Sequence, residues 1–147
     1  MKKIRNLAIA LAFTAVGAFA NDHLTQIRDL AGTLENEFRS IHVALKSKNF
    51  DSADVKSRVE RTDDDVKKLE SLAVDFGASS PSLAIGPDWN RTKDLVALIA
   101  IFHEQKSQLL GDMKKNRGML RVHAEGLSKR AGMLQASASQ MLKTTGP

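Results

Sequence analysis

Apolar residues recur along this chain at alternating steps of three and four, the spacing of one buried face on a helix. Leu24, Ile27, Ala31, Leu34, Phe38, Ile41 and Leu45 form a first seam. Val55, Val59, Thr62, Val66, Leu69, Ala73 and Phe76 form a second. A third runs through Thr92, Leu95, Ile99, Phe102, Leu109 and Met113, and a fourth through Leu120, Ala124, Leu127, Ala131, Leu134, Ala138 and Met141. The seams predict helices over about 22–48, 51–76, 88–114 and 118–142. No segment carries the period-two alternation of a half-buried strand.

Local signals set the expected ends. Asp22 is placed to cap the first helix, Lys46 and Lys48 complement its negative end, and Asn49 is expected to stop it in a left-handed turn. Asp51 should cap the second helix, with Phe50 and Val55 as a hydrophobic staple. The short link between these helices predicts an antiparallel hairpin. Gly77 should end the second helix, because Gly77–Pro87 holds two glycines and two prolines. Within that stretch Leu83 and Ile85 are expected to tuck against the end of the bundle. Val96, Leu98 and Ile101 widen the third apolar face and predict that this helix is the most buried. A reversal is expected around Lys115–Gly118, where Asn116 and Gly118 are stop residues and the seam changes phase. The rival is one helix from about Asp88 to Leu142, roughly 80 Å long. Thr144–Pro147 reads as a frayed tail. The fold class expected is all-α, an up-down-up-down four-helix bundle.

The first twenty residues follow a different rule. Lys2, Lys3 and Arg5 precede an apolar run from Leu7 to Phe19, and Ala18-Phe19-Ala20 has small residues where a leader peptidase needs them. This is the layout of a cleavable secretory signal, and the run is short for a membrane span of about 20 residues. Residues 1–20 are therefore expected to be a bacterial-type signal peptide and 21–147 a single domain, periplasmic or secreted, with no transmembrane segment.

Discounting the leader changes the charge. The 147-residue chain carries 22 Lys+Arg against 17 Asp+Glu, and three of the cations lie in the leader, so the remainder falls from +5 to +2. That balance, with export, argues against a nucleic-acid partner. The distribution is uneven: residues 21–87 hold 9 cations and 12 anions, and residues 88–147 hold 10 and 5. There is no cysteine, which excludes disulfides, thiolate metal sites and c-type haem attachment.

Candidate chemistry is sparse. His42, His103 and His123 lie on or beside the core faces and, in the expected topology, toward one end of the bundle. Together they could bind a metal or haem iron. Size, export and helices resemble the soluble periplasmic b-type cytochromes, which take an axial Met from the first helix. This chain has no Met between residues 2 and 112, so no ligand pair carries over. Asp63-Asp64-Asp65 with Glu60 reads as a solvated acidic face, since consecutive helical residues point apart. No Glu-x-x-His, G-x-S-x-G, phosphate loop or H-E-x-x-H occurs.

The remaining feature is basic. Lys114, Lys115, Arg117, Arg121, Lys129 and Arg130 gather around the last expected turn. The reading is a non-enzymatic exported bundle without cofactor, binding a protein or an anionic envelope component through these residues, with a homo-oligomer allowed. A metal or haem carrier using His42, His103 and His123 is the alternative.

Overall fold

In the computed structural model the described residues are 2–145, with side chains from Ala20 onward. They form α1 (Lys2–Lys46), α2 (Ser52–Ser79), α3 (Gly86–Leu110) and α4 (Arg117–Thr145), and no strand. Every residue of the first, second and fourth seams is buried. Burial of one face on each helix stabilises the helices, since packing of an amphipathic face contributes more than intrinsic propensity.

Each helix touches two others: α1 packs on α2 and α4, and α3 packs on α2 and α4. Specific contacts join helix ends. Asn21 Oδ1 accepts from Thr145 Oγ1 at 2.9 Å, and His42 at the other end of α1 reaches the Arg121 carbonyl at 3.1 Å. Phe76 near the end of α2 stacks on Trp89 near the start of α3, with ring centroids 4.7 Å apart.

The α1–α4 pair is the most extensive and α2–α3 the least. Small residues explain the first. Ala31 faces a seam in which Ala124, Ala131 and Ala138 alternate with larger side chains, and all four are at most 3% exposed. Two glycines complete it: a Cβ on Gly32 would lie 2.9 Å from the Gln135 side chain, and one on Gly132 would lie 3.2 Å from that of Glu35.

Several expected ends move. The backbone is helical across Ala20–Asn21, so Asp22 lies inside α1 and is no cap. The expected leader chemistry of residues 1–19 and the end of the tail at 146–147 fall outside the described side chains. Thr145 is not frayed, being tied to Asn21 and to the Met141 carbonyl. Asn49 is not left-handed, because no described non-glycine residue has positive φ. Asp51 does cap α2, accepting from the backbone N–H of Ala53 and Asp54. That helix runs past Gly77 to Ser79 and stops at Ser80 (φ −135, ψ 56). Pro81 sets the stop, since the residue before a proline is pushed out of the helical region.

Gly86, at φ 86, turns the chain into α3, and Pro87 fills the first turn. Leu83 packs on the core, whereas Ile85 is 68% exposed. The expected reversal occurs at Gly111–Asn116, slightly earlier than predicted, with Gly118 inside α4. Asp112 makes it, accepting the Lys115 N–H on its side chain and the Asn116 N–H on its carbonyl. The third helix is not the most buried: Leu98 is 40% and Ile101 51% exposed. Both lie on the side of α3 turned away from Ile99 and the core, where no further helix covers them.

Candidate anion-binding end

The links α1–α2 and α3–α4 meet at one end of the bundle, and Arg117 joins them. Its guanidinium donates to the carbonyls of Leu45 (2.7 Å) and Ser47 (2.6 Å), and it lies over the Phe50 ring at 5.0 Å. The last carbonyls of a helix have no partner within it. Here a side chain from α4 supplies the donors, in place of a left-handed residue.

A cleft of about 460 Å³ lies between the links, lined by Lys48, Asn49, Phe50, Lys114 and Arg117. Lys48 and Lys114 of its lining are exposed, as are Lys46, Lys115 and Arg121, each within four positions of a lining residue in the chain. None of the five makes an ion pair among the described residues. The neighbouring carboxylates are occupied locally: Asp51 by the α2 cap and Asp112 by the turn. The arrangement is a cationic rim with an aromatic wall, suited to an anion.

The six basic residues expected to act together therefore divide. Lys114, Lys115 and Arg121 stand free at this end. Arg117 is there but holds α1. Lys129 pairs with Glu125 at 3.3 Å, and its ammonium lowers the Glu125 pKa. Arg130 lies over the Phe102 ring at 4.4 Å. Gly126 makes room for it, since a Cβ there would meet the Arg130 guanidinium at 2.9 Å.

The three histidines do not converge. His42 Nδ1–H donates to Arg121, and His123 is tilted against Phe102 at 5.6 Å. His103 belongs to a separate cluster. Among the described residues no group of three His, Asp or Glu could hold a metal ion.

That cluster is a polar layer the sequence reading missed. Lys106 is 5% exposed and faces the Thr62 hydroxyl (3.0 Å), the Val59 carbonyl (3.4 Å), Asp63 (3.4 Å) and the His103 ring. His103 Nε2 pairs with the same Asp63 oxygen. The proton assignment follows: Lys106 donates to Nδ1 of a neutral His103, whose Nε2–H donates to Asp63. Burial lowers the Lys106 pKa to about 8, against the pull of Asp63. Burial, and then the Lys106 charge, lower that of His103.

The acidic run is correspondingly not one solvated face. Asp63 turns toward α3, Asp64 is exposed, and Asp65 turns toward Glu37 on α1. Burial, with Asp65 beside it, raises the Glu37 pKa to about 7. Glu37 Oε2 is buried without a hydrogen-bond partner.

No protein family, curated protein or solved structure matches this chain. Function has to be argued from the site itself.

Proposed function

We propose that this is an exported, periplasmic or secreted, up-down-up-down helical bundle that binds an anionic partner through the end carrying both tight links. The carrying observation is a set of five exposed cations without ion pairs at this end, of which Lys48 and Lys114 line the Phe50 cleft. Exposed pairs are worth little alone, but unneutralised cations on one rim sum into a local positive potential. The leader-like residues 1–20 support export. The reading is non-enzymatic. Lys106, the amine with the large downward shift, faces four protein acceptors and is 5% exposed, so it serves packing rather than a reactant.

Titration with polyglutamate tests the site. Lys48→Glu, Lys114→Glu, Lys115→Glu and Arg121→Glu together should abolish binding with the fold unchanged by circular dichroism. Arg117 is left in place because it holds α1. Binding that survives the fourfold reversal would sink the assignment. Export is tested separately: mass spectrometry of the periplasmic fraction of an expressing bacterium should find a chain beginning at Asn21.

A further inference from the structure

The cleft at the linked end holds an aromatic ring that charge recognition alone does not require. Phe50, half-buried, lines it beside Lys48, Asn49, Lys114 and Arg117. Clefts that take small molecules run from about 300 to 1,000 Å³, and this one, at about 460 Å³, falls in that range. No carboxylate lines it. The groove between α1 and α4 differs: its Arg39 pairs with Glu35 at 2.7 Å and its Lys129 with Glu125 at 3.3 Å, so its cations are neutralised within the protein. Lys48 and Lys114 have no ion pair among the described residues.

Arg117 contributes in two ways. A guanidinium has five N–H donors. The Leu45 and Ser47 carbonyls take two, which leaves three. Those bonds also fix the guanidinium, which lies over the Phe50 ring. Flat groups stack on a guanidinium as well as on an aromatic ring. The cleft therefore places two flat surfaces beside two free ammonium groups. An acidic polymer would engage the cations and gain nothing from the ring. A phosphate monoester has three strong acceptor oxygens and nearly two negative charges, which suits three cationic side chains.

We propose that the Phe50 cleft is a binding site for a small aromatic phosphate monoester. Lys48, Lys114 and the remaining Arg117 donors meet the phosphate, and the ligand ring packs on Phe50. This rests on the anion-binding reading of the same end and adds its ligand class.

The test is calorimetric titration, at neutral pH, of the protein as recovered from an expressing bacterium. The probes are phenyl phosphate, methyl phosphate, benzoate, benzyl alcohol and polyglutamate. Phenyl phosphate should bind about tenfold tighter than methyl phosphate, the gain expected of one aromatic stack with its burial. It should bind about fivefold or more tighter than benzoate, which has one charge and two oxygens. Benzyl alcohol should not bind. Phe50→Leu keeps an apolar partner for Val55 and should bring the two esters to within about twofold of each other. Lys48→Gln with Lys114→Gln, both exposed, should weaken both esters about tenfold or more. In two-dimensional NMR of the unaltered chain, phenyl phosphate should move the amide resonances of 48–50 and 114–117 and not those of Glu35 and Glu125. The probe panel and the resonances need no variant to fold. Methyl phosphate, benzoate or benzyl alcohol binding as tightly as phenyl phosphate overturns the proposal. So does an undiminished preference in Phe50→Leu, or resonances that move only elsewhere. Binding of polyglutamate but not of phenyl phosphate overturns it and leaves the anion-binding reading standing. Binding of neither removes both.

Discussion

Lys106 occupies a seam position. The third seam steps from Phe102 to Leu109, and the missing step between them is 106. The gap was visible in the sequence, but the partners that make a buried lysine tolerable were not. They come from α2, one turn of which contributes Val59, Thr62 and Asp63. Such an ammonium is held at a cost, because desolvation opposes its charge. Lys106→Met is therefore expected to be neutral or up to about 2 kcal/mol more stable in urea denaturation at pH 7. Asp63→Ala, which leaves the ammonium short of an anion, should cost about 1–2 kcal/mol, its own exposure limiting the loss.

The pH dependence of this residue has a definite sign. Its folded pKa is about 8 against 10.5, so the folded chain holds the proton less tightly than the unfolded one. The penalty is complete below pH 8 and is relieved between 8 and 10.5. Glu37 has the opposite sense, with a folded pKa of about 7 against 4.5. Its stabilising contribution is complete below 4.5 and lost as pH rises through 7. Glu37→Gln should raise the melting temperature at pH 8 and leave it unchanged at pH 4. Equal shifts at both values would rule out this titration.

At the scale of elements, three seams were legible in full, because burial along a helix needs only the local period. The acidic run was misread for a related reason. Residues 100° apart flank a seam on both sides, so Asp63 and Asp65 each meet a different neighbour, and pattern alone does not say what waits there. The stop of α1 was illegible in principle. Its carbonyls are closed by a residue 72 positions away from Leu45, not by local turn chemistry. Of the basic candidates, the sequence located the cluster but could not separate free cations from those committed to Phe50, Phe102 and Glu125. Arg117→Ala should cost about 1–3 kcal/mol, measured by urea denaturation. Lys at 117 should not restore it, since two carbonyls are held by one planar fork. Ala131→Leu should cost about 1–3 kcal/mol by overpacking the close α1–α4 contact.

For the molecule as a whole, charge follows topology. Residues 21–87, with α2, carry the excess of anions and residues 88–147, with α3 and α4, the excess of cations, which favours docking of the two halves. The free cations left at the linked end are the surplus from which the proposed function is built. Added salt should therefore weaken partner binding much more than it weakens the fold, whose core contacts are mostly apolar and whose charged layer is buried from the ions.

The hydrogen bond from Thr145 to Asn21 has a consequence for how the chain is made. The principal neighbour of α1 is α4, which follows it by about seventy positions, so the seam of α1 stays half uncovered until α4 has been made. A nascent chain ending at Asn116 has α1, α2 and α3 but lacks α4, the partner shared by α1 and α3. It should not show cooperative unfolding by circular dichroism. Delay of this kind keeps a polypeptide threadable until α4 emerges, which would suit the export proposed above.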